Sequence, residues 1–212
     1  MPADPVIEIG GAVTHPIVLP LSALASMPRL ELTADFHCVA GWSATGLRWE
    51  GVPFAALHRE VVEPAIRPGA TVTHLVFAGL DGHRSVVALE DALAEDVLIA
   101  EHLGGRPLDG DHGAPARLVS PQQYGHISTK HLCRIEACTA RPTAIHAAHW
   151  FSRLALHGPL VRAHPRARVW EEERHPYLPA RWLRRPYRLT IQVGVFLGAR
   201  AGRRSRPPRT LG

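Results

Sequence analysis

Residues 35–43 read Asp35-Phe36-His37-Cys38-Val39-Ala40-Gly41-Trp42-Ser43, and the role of the cysteine in this stretch decides how the rest of the chain is read. Cys38 closes an expected strand and enters a small-residue turn carrying Gly41, where a side chain is presented outward and not into a sheet face. The plain reading is a packed thiol, because a free cysteine behaves as a small hydrophobe. A thiolate beside His37 and near the backbone N–H groups of a turn is instead kept ionised and serves as a soft metal ligand. Zinc is the third reading, with Cys133, Cys138, His126 and His131 close in sequence. Against zinc, the Cys133-x4-Cys138 spacing lacks a second Cys pair and the histidines are irregularly placed.

The chain around this stretch has 212 residues, 46% of them apolar and 20% charged, the balance of a chain that packs a globular core. That length suits one domain of about 140 to 150 residues and an appendage. Residues 1–140 carry nine Lys+Arg against sixteen Asp+Glu, a balance of −7. Residues 141–212 carry fifteen Arg against Glu171, Glu172 and Glu173, a balance of +12, so the tail is the part that attracts anionic partners. Three cysteines are too few and too odd in number for a disulfide framework and point to a reducing compartment. With no basic stretch leading into an apolar segment at the start, the expected location is cytoplasmic, extending to a peripheral position at the inner face of a membrane. The apolar run 189–199 is about half the ~20 residues needed to span a bilayer.

Extended segments are predicted at 6–9, 17–19, 29–36, 71–77, 85–88, 97–101, 117–120 and 132–137, most of them β-branched and bounded by Gly, Pro or Asp. Short helices are predicted at 21–25, 53–60 and 90–94. No helix of ten to fifteen residues separates successive strands, which argues against a doubly wound parallel sheet. The expected class is α+β, with mixed small β-sheets and short helices over residues 1–140. A helical C-terminal extension over 141–212 follows, with helices at 143–156 and 179–198.

A second constellation is Asp111-His112-Gly113-Ala114-Pro115-Ala116-Arg117, followed by Tyr124-Gly125-His126-Ile127-Ser128-Thr129-Lys130. His112, Arg117, Ser128 and Lys130, with the N–H groups of a glycine-containing loop, are groups that bind a phosphate or a polar heterocycle. Ordinary surface charges are the plain alternative. Lys130 is nevertheless the single lysine beside twenty-three arginines, which suggests a place where a compact ammonium fits and a planar guanidinium does not.

Five runs in register carry a resemblance: Phe36 to Ser43, Trp49-Glu50-Gly51-Val52-Pro53-Phe54, Phe77-Ala78-Gly79-Leu80-Asp81, Asp111 to Val119, and Tyr124-Gly125 to Lys130-His131-Leu132. Over residues 5–138 their order and spacing resemble the molybdopterin-binding domain of sulfite-oxidase-type oxidoreductases. The turn after Cys38 is similar to the bacterial single-domain branch, which includes the catalytic subunit of protein-methionine-sulfoxide reductase.

The resemblance implies the sulfite-oxidase-type fold and Mo-molybdopterin as cofactor. It places Cys38 as the catalytic residue and metal ligand, and His37, Asp81, His112, Arg117, Ser128, Thr129 and Lys130 as cofactor-binding residues, with Ser128 to Lys130 at the phosphate end. The implied activity is two-electron oxo transfer by a molybdenum-dependent oxidoreductase on a small-molecule, sulfoxide or oxyanion-type substrate. The sequence lacks the surroundings that sulfite oxidases proper use for sulfite, so sulfite is not the expected substrate. The alternative is a non-redox pterin- or anion-binding module of the same fold, with the basic tail serving membrane or partner docking.

In the tail, Trp150, Phe151, Trp170, Tyr177, Trp182, Tyr187 and Phe196 stand among the arginines. This composition suits a membrane surface or an electron-transfer partner protein, or helices packed on the acidic domain. No nucleic-acid-binding motif accompanies it, and nucleic acid is not an expected partner.

Overall fold

A computed structural model describes residues 4–38 and 43–142. The strands are β1 (Val6–Gly11), β2 (Ile17–Pro20), β3 (Leu30–His37), β4 (Ser43–Pro53), β5 (His74–Gly79), β6 (Arg84–Ala88), β7 (Leu98–Leu103), β8 (Arg106–Pro107), β9 (Arg117–Val119) and β10 (Leu132–Cys138). One sheet runs β2-β1-β10-β5-β6 and the other β3-β4-β7-β8, with β9 paired to β7. Helical structure is short: a 3-10 segment Leu21–Ser26, a turn of helix Phe54–Leu57 that widens over His58–Val62 and closes at Glu63–Ala65, and Leu89–Ala92. Mixed sheets with few short helices are thus the architecture of the described residues, as the strand spacing predicts. Helices expected at 143–156 and 179–198 lie outside the described residues.

The core sits where the two sheets meet. Alternation along β1 turns Ile7 and Ile9 inward, and β10 and β5 add Ile135, Leu75 and Phe77 to the same cluster. The second sheet supplies Val52, Ile99 and Leu118, and the helical turns supply Leu24, Phe54 and Leu57. Each such side chain, fully withdrawn from water, contributes about 1.5–3 kcal/mol before the entropy of ordering the chain is subtracted.

Strand β7 is covered on both faces. Ile99 joins the main core, whereas Leu98 and Ala100 point the other way into a second cluster with Trp49, Leu108, Ala114 and Val119. The loop 108–116 therefore lies on the outer face of the second sheet. This packing anchors the loop that carries His112 and the strand that carries Arg117.

Strand β4 extends for 11 residues where no strand is predicted. Its Gly46 and Gly51 suggest breaks, yet Gly51 is required by close approach: a Cβ there would lie 2.0 Å from the Ile99 carbonyl oxygen of β7. The β4–β7 register shifts between Glu50 and Gly51, so the glycine marks a bulge inside a strand and not its end. Strands β1 and β10 pair in parallel, with Glu8 opposite Arg134 and their side chains joined by an ion pair, which brings the two ends of the described chain together.

Among the described residues no helix is long and apolar enough to cross a membrane.

Candidate cofactor site

Four segments converge: the end of β3, the β5–β6 turn, the loop 109–116, and 124–130. Arg117 joins three of them. Its buried guanidinium donates from Nη1 to the His112 carbonyl and from Nη2 to the Ser128 carbonyl, both at 3.0 Å, and from Nε to the Leu118 carbonyl at 3.4 Å. The Trp49 and Phe36 rings cover it, their centroids 5.0 and 5.7 Å from Cζ. Such pairs are worth up to ~2 kcal/mol each when water is excluded. Burial pushes the Arg117 pKa down to about 10, which leaves the group charged at neutral pH.

Cys38 is the first residue after the β3–β4 ladder, whose last register pair is His37 with Ser43. Its side chain is buried, with 8% exposed. His37, also buried, places Nδ1 2.7 Å from the Ser43 Oγ, and its carbonyl accepts the Gly125 N–H at 2.7 Å. The strand end that carries the thiol is thereby tied to the segment that leads to Lys130.

Lys130 lies between two glycines. A Cβ on Gly113, which has φ +99°, would meet the Lys130 Cβ at 2.9 Å. On the other side, a Cβ on Gly79 would meet the Lys130 carbonyl oxygen at 2.3 Å and the Asp81 Oδ1 at 2.7 Å. Only glycine at both positions lets the β5–β6 turn and the 111–113 loop close on the same residue, bringing Asp81, His112 and Lys130 together. The Lys130 ammonium donates to the Asp111 carbonyl. Its pKa is lowered, first by burial and then by the charge of Arg117, with Asp111, Asp81 and Asp109 opposing. Asp81 also accepts the His83 N–H at Oδ1, 2.9 Å away, closing the turn.

The sequence-derived set omits Asp109, which fixes His112. Asp109 Oδ1 accepts the His112 backbone N–H at 2.8 Å and contacts Nδ1 at 2.7 Å. These bonds hold the carboxyl below its usual pKa, so it is ionised at neutral pH and Nδ1 is the donor. The half-exposed ring then turns Nε2 away from Asp109. The spacing Asp-x-x-His was the available signal. Trp49, Phe36 and Ser43 were missed because aromatic and hydroxyl residues in a strand show no partner in sequence.

Ser128 and Thr129 are placed differently from Lys130. Both are buried: Ser128 Oγ accepts the Ser120 N–H at 3.2 Å, and Thr129 Oγ1 shares a hydrogen bond with Ser85 Oγ at 2.8 Å. Their hydroxyls therefore brace the segment from within. Tyr124 is also buried, stacked on His126 with centroids 6.5 Å apart.

Among the described residues no group of three or more His, Cys, Asp or Glu is placed to hold a metal ion, so the zinc site considered around Cys133 and Cys138 is not assembled. Five residues apart on one strand, these two lie roughly 16 Å apart, too far to share a zinc at ~2.3 Å. Burial raises the pKa of both thiols.

A family model described as the oxidoreductase molybdopterin-binding domain matches residues 2–146. The chain belongs to this family. Its domain is of the sulfite-oxidase type, and Mo-molybdopterin is its cofactor. Over 132 residues the chain is 34% identical to an uncharacterized oxidoreductase, YuiH, of Bacillus subtilis, covering 61% of this chain and 63% of that protein. It is 29% identical over 153 residues to the protein-methionine-sulfoxide reductase catalytic subunit MsrP of Gluconobacter oxydans, covering 64% and 47% respectively. With MsrP of Pseudomonas syringae pv. tomato the identity is 27% over 210 residues, 84% of this chain and 59% of that one. The chain thus spans less than two-thirds of the length of each of these relatives. The sulfane dehydrogenase SoxCD of Paracoccus pantotrophus shares the fold, with a TM-score of 0.57 at 24% identity over 66% of this chain and 39% of that one.

The donor set of this molybdopterin-binding domain fits its cofactor. A thiol at a strand end suits a soft metal, and an ammonium and an imidazole beside a glycine-lined cradle suit a phosphate-bearing heterocycle.

Proposed function

We propose that the chain is the catalytic domain of a molybdenum-dependent oxidoreductase that carries out two-electron oxo transfer, with the Cys38 thiolate as metal ligand. When bound, the cofactor supplies this chemistry through the metal's VI and IV states. The observation that carries the reading is the tie between His37 and Gly125, which puts the strand end bearing Cys38 in one frame with the segment bearing Lys130.

In this reading Lys130 and the Nε2 of His112 hold the phosphate and pterin, and Asp81 accepts a hydrogen bond from the pterin. Ser128 and Thr129 act at the phosphate end through the backbone they brace. Arg117 acts by orienting the three segments, its side-chain donors turned to backbone carbonyls. His37 acts at the base of the Cys38 segment.

The likeness to MsrP supports a sulfoxide or related oxyanion as substrate. Residues 141–212, with their +12 balance, serve a redox partner protein or an anionic membrane surface. Three cysteines, too few and too odd in number for a disulfide framework, support a reducing, cytoplasmic setting.

Elemental and pterin analysis of protein purified from a host that makes molybdopterin tests the reading. Molybdenum and pterin near one per chain, with oxo-transfer activity abolished in Cys38→Ser, is the expected result. Pterin without metal, and no reduction by any donor, would favour the non-redox binding module instead.

A further inference from the structure

We propose that the β5–β6 hairpin sets the direction of Lys130, with Ser85 and His83 as its positioning residues. The inference rests on the reading of Lys130 as a group that holds the cofactor's phosphate. It extends that reading to two residues outside the sequence-derived set.

The segment that carries Lys130 lies along the hairpin. His83 Nε2 donates to the His126 carbonyl at 2.7 Å, Ser85 Oγ lies 2.8 Å from Thr129 Oγ1, and the Leu80 N–H donates to the His131 carbonyl at 2.9 Å. The hairpin thus grips the residues directly before and after Lys130. The same two residues are also held from the other sheet and its loop, where the Leu118 N–H reaches the Thr129 carbonyl at 2.9 Å and the His131 N–H reaches the Gly113 carbonyl at 3.1 Å. His131 has φ +51°, a left-handed conformation that a residue with a side chain rarely adopts, and it stays there only because its surroundings hold it.

Ser85 carries the argument furthest. It alternates inward with Val87 on β6, stands opposite Phe77 in the ladder, and is buried with 3% exposed. Packing alone would be met there by an apolar residue, whereas a buried hydroxyl is costly without a hydrogen bond. The Thr129 hydroxyl is turned to the Ile127 carbonyl at 3.3 Å, which commits its single proton and leaves Ser85 as the donor to Thr129. A core position on β6 is therefore occupied by a group whose partner is the neighbour of Lys130. His83 adds a second hold, because its backbone N–H bonds Asp81 Oδ1 at 2.9 Å while its ring reaches the His126 carbonyl. One residue ties Asp81 to the segment of Lys130, and supporting bonds of this kind hold a binding group to its productive direction without touching the ligand.

The test compares Ser85→Ala and His83→Phe, which remove the bonds, with Ser85→Thr and His83→Gln, which keep a donor. Two quantities are read: pterin retained by the purified holoprotein, and the rate at which an amine reagent labels Lys130 in cofactor-free protein. Because Lys130 is the only lysine of the chain, the reagent reads it alone against the N-terminal amine as internal reference. Retention is expected to fall about tenfold and labelling to rise about tenfold in the first pair, the factor for one lost buried hydrogen bond. Both are expected to stay within about threefold of the parent in the second pair. Parent-like retention in Ser85→Ala, or lost retention with parent-like labelling, would overturn the proposal. So would retention that merely follows the melting temperature across all four variants, since that is the mark of a structural role alone. Should His83→Phe fail to fold, Ser85→Ala decides the matter, because it removes one oxygen atom. A parent that binds no pterin would defeat the reading of Lys130 as phosphate holder, while the labelling rates would still decide whether the hairpin directs its side chain.

Discussion

The guanidinium of Arg117 lies over the indole of Trp49, 5.0 Å from the ring centroid, while its N–H groups reach the carbonyls of His112, Leu118 and Ser128. Arg117 is therefore a buried charge neutralised by carbonyl dipoles and aromatic faces, with no carboxylate among its hydrogen-bond partners in the described residues. Arg117→Ala strips donors from three carbonyls and opens a cavity beneath Trp49, and is expected to cost about 3–5 kcal/mol. Arg117→Lys keeps the charge but cannot fork, and is expected to lose about 1–3 kcal/mol. Urea denaturation measures both. A loss below about 1 kcal/mol in Arg117→Ala would show that the hub is not structural.

Acid sensitivity is expected from His58. It is buried in the widened helical turn, where Nε2 has no hydrogen-bond partner among the described residues, and burial lowers its pKa, with Glu63 3.9 Å from Nδ1 opposing. Between the lowered folded value and the ordinary 6.5, the unfolded chain binds more protons than the folded one. Stability therefore rises with pH through that window and is lost as pH falls below about 6.5, with a slope of at most ~1.4 kcal/mol per pH unit from this group. Denaturation midpoints from pH 7 to 5 should show the decline, and His58→Gln should flatten it.

Asp109→Ala separates folding from cofactor retention. The carboxylate and the His112 ring are both exposed, so the melting temperature should not change. Without its acceptor at Nδ1 the ring loses its fixed orientation, and cofactor retention is expected to fall roughly ten- to a hundredfold, as when the outer partner of a ligand histidine is removed. Pterin released from purified protein and read by fluorescence measures this. Full retention would remove His112 from the site.

Lys130 is expected to resist replacement by arginine. Its stem lies against Gly113, where a Cβ would stand 2.9 Å from the Lys130 Cβ, and its ammonium meets the Asp111 carbonyl. The larger planar guanidinium does not fit that cradle. Lys130→Arg should lose cofactor nearly as fully as Lys130→Ala in the same pterin assay. Retention at the parental level would show that only the charge matters.

Much of this arrangement was legible in the sequence for a physical reason. The eight expected strands are found because their apolar and β-branched runs end at Gly, Pro or Asp, and the 53–60 segment is helical over most of its length. Strand β4 was not legible, because Gly51 serves a contact with Ile99 that exists only after β7 has paired. At the site, residue type and spacing singled out Cys38, His112 and Lys130 as candidates. What spacing could not reveal was direction: Arg117, Ser128 and Thr129 turn their side chains into the protein, while Asp109, absent from the motif, sets the ring of His112. Partners that a side chain meets only through tertiary packing leave no local pattern.

The central claim is one metal–sulfur bond, and X-ray absorption at the molybdenum edge tests it most directly. Parent and Cys38→Ser proteins are loaded with cofactor in the same host and their sulfur neighbours compared. The account predicts one fewer sulfur at the metal in Cys38→Ser, with pterin still bound through Lys130 and His112. An unchanged sulfur shell would contradict it.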